Sequence, residues 1–177
     1  MIRGSHLPPP GEPIRFRSHV ANLSMSDWGA TQRLPAEVVL AKGGVLVGEL
    51  HLLTRTAYPL DSESPLELLN RVEPFFPLTL AEGGVVFVSK DQVSMLSCWD
   101  QKPLWDEERV SVAKLVAMEV ELADGTRYHG RSTFELPPSK SRALDYINGS
   151  GRFFVLWTDD LTRYLNKSLV RLIRPLD

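Results

Sequence analysis

The side chains best suited to chemistry in this chain are four histidines, one cysteine and two acid–amide pairs. His6, His19, His51 and His129 are scattered, with no spacing that gathers two of them on one helix face. His129 stands at the position taken by Val47 in an internal repeat described below, which fits a satisfied strand histidine better than a general base. The single Cys98 excludes an internal disulfide and a cysteine-based metal cluster, and its apolar surroundings suit a small filler at a strand end. Glu67 with Asn70, and Asp145 with Asn148, have the spacing for acid–base work on one face. At the end of a short helix the same groups bond to nearby backbone instead. The chain has no glycine-rich phosphate loop, His-Glu-x-x-His pair or nucleophile elbow. The expectation is therefore no catalytic residues, no metal and no cofactor.

Two further sets point to binding. Arg163, Lys167 and Arg171, followed by Arg174, lie close to Trp157 and Tyr164. Cations interleaved with aromatics can follow a phosphate backbone while bases stack, so Lys90, Asn148, Lys167 and Arg171 are the candidate nucleic-acid contacts. Strand alternation equally places such arginines on a solvated edge, where charge discourages aggregation. Trp99 and Trp105 flank the acidic Asp106-Glu-Glu108. Two large apolar rings in a connector either fasten what lies on both sides or meet a partner, and with Arg163, Lys167 and Arg171 they form the candidate partner-binding set.

These residues are positioned by a stretch that occurs twice. Glu37 to Glu49 and Glu119 to Arg131 superpose at an offset of 82, matching Leu40 to Leu122, Ala41 to Ala123, Gly43 to Gly125 and Gly48 to Gly130. Alternating side chains around Gly43-Gly44 and Asp124-Gly125 predict hairpins with two-residue turns. Glycine inside a strand suits a sharp bend or the close approach of another backbone, and Gly48 and Gly130, inside the returning strands, are expected to mark the kink of a strongly curled sheet. Later offsets of 78 and 77 align Leu144-Asp-Tyr-Ile-Asn148 with Leu66-Glu-Leu-Leu-Asn70, Phe153-Phe154 with Phe75-Phe76, and Tyr164 to Ile173 with Phe87 to Leu96. Shared elements in one order indicate duplication.

The predicted layout is an arm over 1–34, a first small barrel over 35–98, a connector over 99–114 and a second barrel over 115–177. The arm holds Pro8, Pro9, Pro10 and Pro13 and reads as extended chain or tag remnant, unless Phe16, Val20, Leu23 and Trp28 dock on a barrel. Strands are expected near 36–42, 45–53, from Phe75, over 85–89 and over 92–97. Between the second and third, Ser64-Pro65 predicts the N-cap and first residue of a short helix. Hydrophobic residues make up 43% of the chain and charged ones 24%, ordinary values for a globular protein. No apolar run approaches the roughly 20 residues of a membrane span, and the first residues lack the layout of a secretory signal, so a cytoplasmic location is expected. Residues 36–98 hold 4 basic and 8 acidic side chains, a balance of −4; residues 115–177 hold 9 and 8, a balance of +1. Neither carries the basic excess of an obligate nucleic-acid binder.

The Gly-x4-Gly hairpin, the later Asn and the Lys-x-x-Val-x-x-hydrophobic strand resemble the two motifs of Sm-like domains, five-stranded SH3-like barrels, including uncharacterised bacterial members. The resemblance covers nearly the whole of each predicted barrel. It implies ring-like strand pairing between protomers and, in many members, RNA binding through an acid and Asn in the first motif and an Arg-Gly pair in the second. Asn70 and Asn148 match the motif Asn, with Glu67 and Asp145 as acids three residues earlier instead of the usual four. Ser89-Lys90 and Asn166-Lys167 stand where the Arg-Gly pair belongs. The expected function is a non-catalytic protein–protein interaction or scaffold module, with homo-oligomerisation through open strand edges as a further expectation. The alternative is a small RNA- or DNA-binding regulator using the basic face of the second half.

Overall fold

The computed structural model describes residues 31–54, 62–99, 114–134, 143–149 and 151–176. The first half supplies β1 (Thr31–Leu40), β2 (Val45–Leu53), α1 (Pro65–Asn70), β3 (Phe75–Leu80), β4 (Val85–Ser89) and, after one 3-10 turn over Lys90–Gln92, β5 (Val93–Trp99). The second supplies β6 (Lys114–Leu122), β7 (Arg127–Phe134), α2 (Ala143–Ile147), β8 (Phe153–Trp157), β9 (Leu161–Asn166), a 3-10 turn over Lys167–Leu169, and β10 (Val170–Pro175). All pairings are antiparallel, and the strands form one sheet in the order β10-β6-β7-β8-β9-β5-β1-β2-β3-β4.

Each half contributes five consecutive places to that order, and their registers repeat. Val39 faces Val45 in β1–β2, and Glu121 faces Arg127 in β6–β7, a displacement of 82 on both strands. Phe75 faces Ser89, and Phe153 faces Asn166. A register shift falls between Val39 and Leu40 opposite β5, and again at the matching place between Val170 and Leu172 opposite β6. The duplicated spacing therefore carries through to the pairing itself.

Gly48 and Gly130 are accounted for by a neighbouring backbone rather than by the kink expected of them. A Cβ on Gly48 would run into the Thr79 carbonyl of β3, and one on Gly130 into the Trp157 carbonyl of β8. Both glycines admit a neighbouring backbone that any other residue would push away.

The turns differ from the two-residue form. Gly43 N donates to Leu40 O (3.1 Å) and Leu40 N to Gly44 O (3.0 Å), so Ala41 and Lys42 are the central pair. Gly125 N to Leu122 O and Leu122 N to Thr126 O repeat the arrangement around Ala123 and Asp124. The glycine takes the left-handed position after the turn, φ 88° at Gly43 and 87° at Gly125. A type I turn closed by a glycine bulge needs only that one positive φ.

β1 also begins earlier than the expected strand, taking in Thr31–Leu34 of the expected arm, ahead of Pro35 at the expected start of the first barrel. Pro35 suggested a boundary. The Leu40–Gly44 bonding sets an alternation that turns the Pro35 nitrogen away from β2, and β1–β5 pairing begins only at Ala36, so the missing N–H costs no ladder bond. Helix α1 forms as predicted: Ser64 Oγ accepts from Glu67 N, the Glu67 carboxylate accepts from Ser64 N, and Pro65 opens the helix. Leu68 and Leu69 on its inner face are buried.

Two apolar clusters form the core, and each borrows from the other half. The first gathers Val38, Leu50, Leu69, Phe76 and Leu96 together with Phe153, Val155 and Tyr164 of the second half. The second gathers Met118, Val120, Phe154, Leu156 and Leu165 together with Met95 of the first. The four arm prolines and Trp105 lie outside the described residues.

Candidate functional site

The seam between the halves shows what this sheet does at an edge. β5 and β9 pair with Leu96 opposite Tyr164 and Cys98 opposite Thr162. Lys167 N donates to Arg152 O, which sets an alternation turning the backbone of Thr162 and Tyr164 toward β5. Beside the strands, the Asn70 side chain clamps the Phe153 backbone: Nδ2 donates to Phe153 O (3.1 Å), and Oδ1 accepts from Phe153 N (2.8 Å). The fully buried Asn166 donates from Nδ2 to Val93 O (2.9 Å) and Lys90 O (3.2 Å). Arg152 reaches Asp91 at 2.6 Å on the rim.

At the far end of the order, β4 has a single strand neighbour among the described residues. Lys90 N donates to Pro74 O and Leu80 N to Gly84 O, so the alternation turns the backbone of Val85 and Ser89 away from β3. The side chains here are apolar and uncovered. Phe75 is 55% exposed, Val85 46% and Phe87 61%, whereas their counterparts at the seam, Phe153, Thr162 and Tyr164, are 2%, 4% and 4% exposed. Equivalent places in one duplicated sheet thus differ by whether a strand lies beside them among the described residues. The outward-turned backbone of Val85 and Ser89, with apolar side chains beside it, is a template for strand addition. A pocket of about 230 Å³ lies next to it, bounded by His51, Leu68, Arg71, Phe75 and Lys90. Its cations are already engaged, Arg71 Nε with the buried Glu63 at 2.5 Å and Lys90 Nζ with Arg71 O at 3.1 Å.

The sequence-derived residues fall in several places. Lys90, expected among the nucleic-acid contacts, is fully buried, and burial lowers its pKa. Lys167 makes the equivalent bond, from Nζ to Gly149 O at 3.0 Å, and its pKa is lowered by the same cause. Both lysines thus satisfy the carbonyl just past a helix C-terminus, where no intrahelical donor remains. Arg171 pairs with Glu121 at 3.2 Å, and Glu121 also holds Arg127 at 2.9 Å. Arg174 and His129 share Glu119 in the same manner. Arg163 lies over the Tyr128 ring, 5.3 Å from its centroid. Asn148 is exposed at the end of α2, and Trp99 ends β5 opposite Leu161. The structure does not gather these residues into one surface.

Sequence reasoning missed two features. One is the acidic ladder of Glu119 and Glu121, whose signal was two glutamates at alternate positions of β6 opposite His129 and Arg127 on β7. The other is the Asn70 clamp, which joins residues 83 apart and left no local signal. Among the described residues, no group of three or more His, Cys, Asp or Glu side chains is placed to hold a metal ion, and no helix is long and apolar enough to cross a membrane. Cys98 is buried, which pushes its thiol up to about 12. Comparison with protein-family models, with curated proteins and with solved structures finds no match.

Proposed function

We propose that the chain is a non-catalytic interaction module built from two Sm/SH3-like barrels in tandem, which offers the β4 edge of its sheet to a protein partner. The observation that carries this reading is the outward-turned backbone of β4 beside the exposed Phe75, Val85 and Phe87. Backbone bonds along an added strand supply affinity, and the apolar side chains with the adjacent pocket supply selectivity. The nucleic-acid alternative is the weaker reading, because Arg171 and Arg174 are paired with buried glutamates and Lys90 is enclosed.

The test is a screen of extended peptides against the immobilised chain and its Phe75→Glu variant. Phe75 is exposed, so the substitution leaves the fold intact, but a strand laid along the edge would bury the new carboxylate without a partner. Peptides retained by the wild type and lost by the variant support the reading. Retention that ignores the substitution, or single-stranded RNA bound at low salt with a steep salt dependence, sinks it.

A further inference from the structure

The repeats agree in pairing and differ on one face. On the outer side of β10-β6-β7, the buried Glu119 lies between His129 of β7 (2.9 Å) and Arg174 of β10, and the buried Glu121 lies between Arg127 of β7 (2.9 Å) and Arg171 of β10 (3.2 Å). Arg131, exposed and opposite Ala117, extends the β7 row. We infer that this face is a second docking surface, which takes an extended acidic segment of a partner protein with its carboxylates at alternate positions. It stands at the other end of the strand order from β4 and does not rest on the reading given above.

The first half shows that the fold does not call for this arrangement. The repeat offset of 82 puts Val39, Val45 and Val47 where the second half has Glu121, Arg127 and His129, and the offset of 77 puts Ser94 and Ser97 where it has Arg171 and Arg174. Both halves nevertheless form the same hairpin in the same register. A buried carboxylate costs desolvation that its ion pairs at best offset, and apolar residues at such places often serve stability as well or better. Stability alone therefore does not account for two buried glutamates with a basic side chain on each side.

What the glutamates supply is position. Arg171 and Arg174 each commit Nη1 to a carboxylate, and a guanidinium carries five N–H donors, so most of each exposed fork stays open to a ligand. The β7 row of Arg127, His129 and Arg131 advances two residues at a step, about 7 Å in a strand, and the β10 row stands two strand spacings away, about 10 Å. An extended peptide laid between the rows has the same step of two. Carboxylates at its alternate positions meet one cation after another, each in the charge-assisted geometry that a fixed guanidinium favours.

Charge and side-chain type choose the partner. Four arginines, Arg127, Arg131, Arg171 and Arg174, against two glutamates, Glu119 and Glu121, leave a balance of +2 with His129 neutral. That suits a few carboxylates better than a long polyanion, whose affinity rests on many cations free to replace its counterions. Base stacking has no platform here either. Tyr128 alternates away from Arg127 and His129 and packs against the second cluster, and β6 and β10 hold no Phe, Tyr or Trp.

The experiment is fluorescence anisotropy with the full chain at low ionic strength. Its probes are a short labelled peptide in which glutamate alternates with threonine, a peptide of the same composition with its glutamates consecutive, and a single-stranded RNA. The alternating peptide is expected to bind about tenfold tighter than the consecutive one. Arg131→Glu, at an exposed position, is expected to weaken the alternating peptide about tenfold to a hundredfold. Glu121→Val copies Val39 of the first half and releases Arg127 and Arg171, so the face becomes more positive while the preference for alternation falls to about threefold or less. Phe75→Glu is expected to bind the alternating peptide as the wild type does. A wild type that binds neither peptide overturns the inference, as do equal affinities for the two, RNA bound more tightly than the alternating peptide, full binding by Arg131→Glu, or an undiminished preference in Glu121→Val. Loss of binding in Phe75→Glu also overturns it, since that moves the contact to the β4 edge. Should Glu121→Val fail to fold, Arg131→Glu still decides.

Discussion

Replacing Asn70 by alanine isolates the seam. The substitution removes one donor and one acceptor and leaves the Phe153 N–H and C=O, bonded at 2.8 and 3.1 Å, without their partners in a part-buried place. Each lost bond costs about 1 kcal/mol net, and a polar group left unsatisfied costs somewhat more, so the change amounts to about 2–3 kcal/mol. For a domain of this size, each kcal/mol moves the melting temperature by about 2–4 °C, which places the expected drop at roughly 5–10 °C. The chain carries its own control. Asn148 directly follows α2 where Asn70 ends α1, but it is exposed, so Asn148→Ala should stay within about 0.5 kcal/mol of the wild type in dilute solution. Asn70→Asp keeps the acceptor for Phe153 N and sets a carboxylate against Phe153 O, and should fall between the two. Thermal and urea unfolding of the three variants read the comparison. Equal effects at the two asparagines, or an Asn70→Ala loss no larger than that of an ordinary surface substitution, would refute the claim that the clamp holds the halves together.

Three further outcomes follow from single sites. Gly48→Ala drives a methyl into the Thr79 backbone and should cost about 2–4 kcal/mol by urea unfolding, while the same change at the open turn residue Gly83 acts only through its positive φ and costs less. His51 has its pKa lowered below 6.5, first by burial and then by Arg33. The unfolded chain therefore takes up the proton first as pH falls; stability is full above 6.5 and declines as pH drops from there through the folded pKa. His51→Gln should flatten that decline in melting temperatures measured over the same range, and an unchanged profile would show that another group is responsible. Cys98, fully buried with its thiol pushed up to about 12, should resist alkylation at pH 8 until the chain unfolds, so modification that precedes loss of the circular-dichroism signal would contradict its place in the core.

Much of the β framework was legible because it rests on local chemistry. Ser64, Pro65 and Glu67 specify a helix start within a single turn, whereas Gly48 and Gly130 point in sequence only to a bend, because the carbonyls that crowd them lie on other strands. Pro35 misled because its effect depends on which side of a strand its nitrogen faces, and that is set by pairing with Glu49 on the next strand. The cations of β10 misled for a similar reason. Arg171 and Arg174 look free in sequence, but their glutamates lie far back on β6 and become neighbours only when that strand is placed. The seam was the least legible feature. Nothing in Leu161–Asn166 says that it lies against β5, because the choice was made by shape and by an asparagine in the other half.

The exchange of side chains across the seam has a consequence for how the molecule comes apart. Phe153, Val155 and Tyr164 complete a cluster whose other buried members belong to the first half, and Met95 is owed in return to the second. Cutting the gene between the two repeats would not yield two small proteins; it would yield two pieces each missing a wall. Heating should likewise melt the sheet in one step, both halves losing their shape together.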